Sequence, residues 1–240
     1  MYGAKLRIGL MVPCVNSVMR PEFTKMAPQG IEVFETRMLM QGNSKVEQLS
    51  YMLKDLEKNV EALADVTDVF VYGCTSGSFI KGAKFDYELV ENIHSLTKRN
   101  VVSAASSIVK ALNALKARKI ILATPYIEEV NQRQIDFFNE VGIKTVAVKG
   151  LNIAERGASG TLEPQAAYDL ALSAYRLNPN ADALVLSCTN FRTIEVIAKL
   201  EKELKMPVVS SNQAAFWEAL RVAGVEARVS GYGQLFKVND

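Results

Sequence analysis

The chain has few of the residues that most readily announce a binding class: three cysteines, one histidine and one tryptophan in 240 residues. Cys14, Cys74 and Cys188 are odd in number and widely spaced, which argues against a disulfide framework and for free thiols. His94 stands without a carboxylate or cysteine cluster at metal-ligand spacing, so neither a metal site nor a Ser-His-Asp triad is expected. No apolar run approaches the roughly 20 residues of a membrane span. The start, MYGAKLRIGLMVP, lacks the apolar core and cleavage site of a secretory leader, so no membrane partner and a cytoplasmic location are expected. Charge of one sign is also missing: 28 Lys+Arg against 26 Asp+Glu leaves +2, spread without a basic block, which argues against nucleic acid as a partner. Neither a GxGxxG nor a GxxxxGK loop occurs, and Gly231-Tyr232-Gly233 is too short to replace one, so no nucleotide cofactor is expected.

What the chain does have is β-rich runs alternating with helical patterns. LRIGLMV (6–12), VFVYG (69–73), KIILAT (119–124), KTVAV (144–148), ALVLS (183–187) and PVVS (207–210) read as strands. Between them, Val46, Leu49, Leu53, Leu56, Val60 and Leu63 recur at helical steps, and 105–116, 128–141 and 193–203 read similarly. Alternation of this kind predicts an α/β protein with parallel sheets, and the near-continuous apolar strands predict burial on both faces. Chemistry is then expected at the strands' C-terminal ends.

The two halves of the chain resemble each other. ADVTDVFVYGCTSGS is echoed by NADALVLSCTNFRT, which places Cys74 and Cys188 114 positions apart, each followed by threonine. LMVPCVN is echoed by LATPYIEEVN at an offset of 112, and VVSAASSIVKALNAL by VVSSNQAAFWEAL at 107. Two similar lobes are inferred, 1–104 carrying Cys74 and 105–212 carrying Cys188, with a C-terminal helix and tail at 213–240 packing back on the first lobe. Pseudo-twofold packing would set the two cysteines facing each other across one cleft.

A strand-to-helix turn offers free backbone N–H groups that stabilise a thiolate. The neighbours Thr75-Ser76-Gly77-Ser78 and Thr189-Asn190 are small and donor-rich, suited to a nest for a substrate carboxylate. Two facing thiols permit racemisation, one taking a proton and the other returning it from the opposite face. They equally permit cis–trans isomerisation, in which one thiolate adds to an electron-poor double bond that rotates before the thiol leaves. A lone cysteine after a buried strand is ordinarily a small core hydrophobe, and Cys14 is read that way. The repeated Cys-Thr context sets Cys74 and Cys188 apart. Tyr126 either caps the core or donates a hydrogen bond to substrate. Arg37 is either a strand-end charge or a substrate contact, and Arg156, in NIAERGASG, either clamps a carboxylate or is solvated surface. A non-catalytic carboxylate binder with incidental thiols is the reading from outside enzymology.

Taken in order, Val12-Pro13-Cys14-Val15-Asn16, Thr36-Arg37-Met38, GCTSGS from Gly73, ATPYIEEVN from Ala123, SCTN from Ser187 and PVVSSNQAAFW from Pro207 resemble the aspartate/glutamate racemase superfamily. The resemblance spans essentially the whole chain and is to the branch containing maleate cis–trans isomerase, arylmalonate decarboxylase and ectoine-utilisation racemase-like proteins. It implies two flavodoxin-like lobes related by pseudo-twofold symmetry, an active site in the cleft between them, no metal or organic cofactor, and a homodimer or larger homo-oligomer. It implies Cys74 and Cys188 as the catalytic pair, the first as nucleophile and the second in proton transfer. Asn16 and Tyr126 would bind carboxylate oxygens, and Thr75, Ser76, Thr189 and Asn190 would form the nest; Pro13, Arg37 and Arg156 stand beside them as candidate substrate contacts that the resemblance itself does not assign. Arylmalonate decarboxylases characteristically carry glycine at the position of Cys74, which argues against decarboxylation. The Arg156 loop departs from the maleate isomerase pattern, where asparagine is usual, and so does GCTSGS. The expected reaction is therefore isomerisation of a small dicarboxylate, maleate to fumarate by example, with amino-acid racemisation as the alternative.

Overall fold

The computed structural model describes residues 2–226 and 228–238. Among the described residues, eight parallel strands form two four-stranded sheets. The first holds β1 (Leu6–Pro13), β2 (Ile31–Met38), β3 (Val69–Tyr72) and β4 (Asn100–Ser103) in the order β2-β1-β3-β4. The second holds β5 (Lys119–Thr124), β6 (Lys144–Gly150), β7 (Ala183–Leu186) and β8 (Val208–Ser210) in the matching order β6-β5-β7-β8. The central β3 and β7 are buried throughout, as strands covered by helices on both faces must be.

Six of these strands are legible from apolar runs, and two are not. β2 is an edge strand whose Glu32, Glu35, Thr36 and Arg37 are half-buried or exposed, so its sequence, IEVFETRM, carries too many polar residues to stand out. β4, also at an edge, is four residues long. The helical pattern at 46–63 is likewise two helices, α2 (Lys45–Tyr51) and α3 (Leu56–Ala64), broken at 52–55. A straight helix could not do both of their jobs, because α3 lies along β2 whereas Gln48 and Leu49 of α2 turn over the central cavity.

The halves repeat one another in detail. Ser103 and Ser210, 107 positions apart, cap α6 (Ala104–Ala114) and α10 (Ser211–Val222) by accepting from the N–H of Ser106 and Gln213. Lys98 and Lys205, at the same offset, adopt left-handed backbone to end α5 (Ala83–Thr97) and α9 (Ile194–Leu204). Asp68 and Asp182 each accept backbone N–H groups at the start of the neighbouring strand, from Arg7 and from Arg118 and Lys119. The lobes meet through α6 and α10, which pack on each other, while α10 also contacts α1 (Met19–Met26), β3 and β4. Gly9 of β1 is required by close approach: a Cβ there would stand 2.3 Å from Thr67 Oγ1. No helix among the described residues is long and apolar enough to cross a membrane.

Candidate active site

The strand ends of both lobes open onto one cavity of about 260 Å³. Cys74 and Cys188 both line it, at the ends of β3 and β7, with Pro13, Asn16, Thr75, Ser76, Tyr126, Thr189 and Asn190. Nine of the eleven residues singled out from the sequence are thus brought together. Among the described residues, the side chains around the cavity include no lysine, arginine or histidine, and one carboxylate, Glu155. An anionic ligand would therefore be held by hydroxyls, amides and backbone N–H groups.

The two thiols occupy different surroundings. Cys74 is the N-cap of the short helix α4 (Thr75–Phe79), and its Sγ accepts the Gly77 N–H at 3.3 Å with Ser76 Oγ 3.8 Å away. Backbone dipoles at a helix start favour negative charge on that sulfur. The chain after Cys188 runs through an irregular segment until α9 begins at Ile194. Its thiol is met instead by the Tyr126 hydroxyl, which also hydrogen-bonds the Thr75 side chain. Burial pushes the Tyr126 phenol well above its ordinary value, and the nearby thiols of Cys188 and Cys74 add to this. The phenol therefore stays protonated and serves as a donor.

Hydrogen bonds across the cleft fix these groups. Asn16 accepts the Val18 and Met19 N–H groups through Oδ1 and donates through Nδ2 to Thr189 Oγ1 at 3.1 Å. Thr189 Oγ1 donates to the Gly73 carbonyl at 3.0 Å. Asn190 Oδ1 accepts the Ser17 N–H at 2.9 Å, and its amide faces the carbonyls of Val15 and Gly157. Thr75 Oγ1 donates to Ser211 Oγ at 3.0 Å, and that oxygen accepts the Cys188 N–H at 3.1 Å. Ser211, at the first turn of α10, thereby ties the nest of one lobe to the cysteine of the other. It was missed as a site residue, although the VVSS echo placed it at a strand end.

Arg37 and Arg156, each open between a surface charge and a substrate contact, are placed outside the cavity lining. Arg37 donates to the carbonyls of Cys14 and Asn16 at 3.1 and 3.0 Å and pairs with Glu35, so it braces the Pro13–Asn16 turn. Arg156 donates to the Met40 carbonyl at 2.8 Å, which joins the loop after β6 to the segment before α2. Both loops border the cavity, through Met40 and Asn43 on one side and Ile153 and Glu155 on the other. Cys14 is half-buried and packs beside the first lobe's core.

The arylmalonate decarboxylase family model matches residues 8–236. The arylmalonate decarboxylase of Bordetella bronchiseptica is 34% identical over 163 residues, 68% of each chain. The maleate isomerase of Geobacillus stearothermophilus is 25% identical over 243 residues, 95% of this chain and 96% of its own. Among solved structures, a liganded arylmalonate decarboxylase mutant, with a glycine changed to cysteine and a cysteine to serine, superposes with a TM-score of 0.90. It is 27% identical and covers 98% of this chain and 100% of its own. A cysteine-to-serine mutant of the Nocardia farcinica maleate cis–trans isomerase, carrying a covalently bound succinylcysteine intermediate, shares the fold with a TM-score of 0.89. It is 24% identical and covers 98% of this chain and 99% of its own. With a family match over nearly its whole length and two matching α/β lobes around one cavity, the chain belongs to the arylmalonate decarboxylase family, in the racemase-like branch that also holds the maleate isomerases.

Proposed function

We propose that the protein is a cofactor-independent isomerase of a small dicarboxylate, with maleate to fumarate as the reaction to test. The observation that carries this reading is that two cysteines line one cavity, with the Tyr126 hydroxyl beside Cys188 and the side chain of Thr75. Cys74 is the nucleophile, since its sulfur alone of the two caps a helix. Its thiolate bonds to one alkene carbon as the π bond breaks, and Cys188 gives its proton to the other carbon. The resulting single bond rotates. Cys188 then takes the proton back, the C–S bond breaks, and the trans alkene leaves with the Cys74 thiolate restored. Thr75, Ser76, Asn16, Thr189 and Asn190, with the Tyr126 hydroxyl, hold the carboxylates through neutral donors.

Decarboxylation is the second reading, favoured by the 34% identity to the Bordetella enzyme. Cys188 would then act alone as proton donor, and Cys74 would have no part in the chemistry. Racemisation next to a carboxylate uses the same pair of thiols. Proton NMR in deuterated buffer separates all three, with maleate, D- and L-aspartate and an arylmalonate in parallel tubes. Fumarate formation that vanishes in Cys74→Ser is the expected result. Inert maleate with deuterium entering an amino acid, or with carbon dioxide lost from the arylmalonate, would overturn it.

A further inference from the structure

A carboxylate outside the cavity is built into the joint between the lobes. Glu22 lies on α1 of the first lobe, is 2% exposed, and both of its oxygens bond to the second. Oε1 accepts the N–H groups of Thr193 and Ile194 at 2.7 and 3.2 Å, the first turn of α9. Thr193, the N-cap residue of that helix, makes no side-chain capping bond of its own. Oε2 accepts Asn212 Nδ2 at 2.6 Å, and the same amide nitrogen donates to the Thr189 carbonyl at 3.1 Å. One carboxylate therefore grips both ends of the irregular segment that follows Cys188.

The equivalent positions of the other lobe do not repeat the arrangement. The offset that relates Pro13 to Pro125 carries Glu22 to Gln134, and the offset that relates Ser103 to Ser210 carries Asn212 back to Ala105. Gln134 is neutral and bonds to Ser187 within its own lobe. The thiol without a following helix is the one given this brace. We propose that Glu22 is a positioning residue, whose carboxylate, supplied by one lobe, holds the Cys188–Thr193 segment of the other in its reactive geometry. The proposal rests on reading Cys188 as a working thiol.

Charge on Glu22 strengthens all three of its hydrogen bonds. Burial raises its pKa to about 7, against the lowering effect of Asn212, Thr193 and Ile194. The like-charged Glu195 faces it from α9 and is itself paired with Lys25 of α1 and Arg192, while α10 presents the neutral Asn212. The brace is thus set to weaken as the pH falls below neutrality. In Glu22→Gln an NH₂ group replaces one acceptor. Asn212 can meet it by turning its otherwise unpartnered Oδ1 inward, which removes the donor from the Thr189 carbonyl.

The test is the rate at which iodoacetamide alkylates Cys188 in a Cys14→Ser/Cys74→Ser background, followed by intact-mass spectrometry from about pH 5.5 to about pH 9. The expected profile has two inflections, one from the thiol and one near pH 7 that Glu22→Gln abolishes. In the otherwise unaltered enzyme, Glu22→Gln should lower kcat for maleate at pH 8 about tenfold and leave KM within about twofold. A single inflection with Glu22 in place overturns the proposal, and is read without any substitution at position 22. Identical alkylation profiles with glutamate and glutamine also overturn it. Two inflections without maleate turnover would refute the isomerase reading and support the brace.

Discussion

Replacing Glu22 by glutamine should make the protein's stability less dependent on pH while making it a poorer catalyst. The carboxyl is fully enclosed and its pKa is raised from 4.5 to about 7, chiefly by burial. In the window between those values the folded chain holds a proton that the unfolded chain has released. Stability from this group is therefore complete below about pH 4.5, falls as pH rises, and is lost once pH passes about 7. The ionised carboxylate costs the fold about 3 kcal/mol above that point. Glutamine has no charge to desolvate and escapes that penalty. Urea unfolding at pH 5 and pH 8 measures it: the stability lost by wild type between the two should exceed that lost by Glu22→Gln by about 2 to 3 kcal/mol. Equal losses in the two proteins would refute the reasoning, since Glu22 would then titrate alike in both states.

Three further substitutions test the site. Tyr126→Phe removes the hydroxyl shared by Cys188 and Thr75, so kcat should fall about a hundredfold at a stability cost of about 1 kcal/mol. Steady-state kinetics and urea unfolding check this. Arg156→Ala loses the bond to the Met40 carbonyl and should raise KM about fivefold while holding kcat within about twofold. A collapse of kcat would instead mean that the guanidinium reaches substrate. Gly77→Ala sets a methyl 2.9 Å from Tyr72 Oη and 3.0 Å from Cys74 Sγ, which should destabilise by about 1 to 3 kcal/mol. Slower alkylation of Cys74 would report the displaced sulfur.

The amino-acid sequence by itself determined the parallel α/β architecture, its doubling, and the positions of Cys74 and Cys188 at the ends of β3 and β7. Those features follow from local rules: apolar runs buried on both faces, a repeated Cys-Thr turn, and the geometry that exposes the C-terminal ends of parallel strands. Tertiary structure decided what long side chains reach. Arg37 and Arg156 suit a carboxylate by chemistry, yet folding gives them backbone carbonyls at 3.1, 3.0 and 2.8 Å, and neither lines the cavity. β2 was hidden because an edge strand tolerates polar residues on its open side. The break between α2 and α3 was hidden because their apolar period continues across it. Glu22 was the least legible, an ordinary glutamate in MRPEFTKM until two lobes close over it. Its partners lie 171, 172 and 190 residues away, and no local pattern encodes a contact that exists only when separate elements pack.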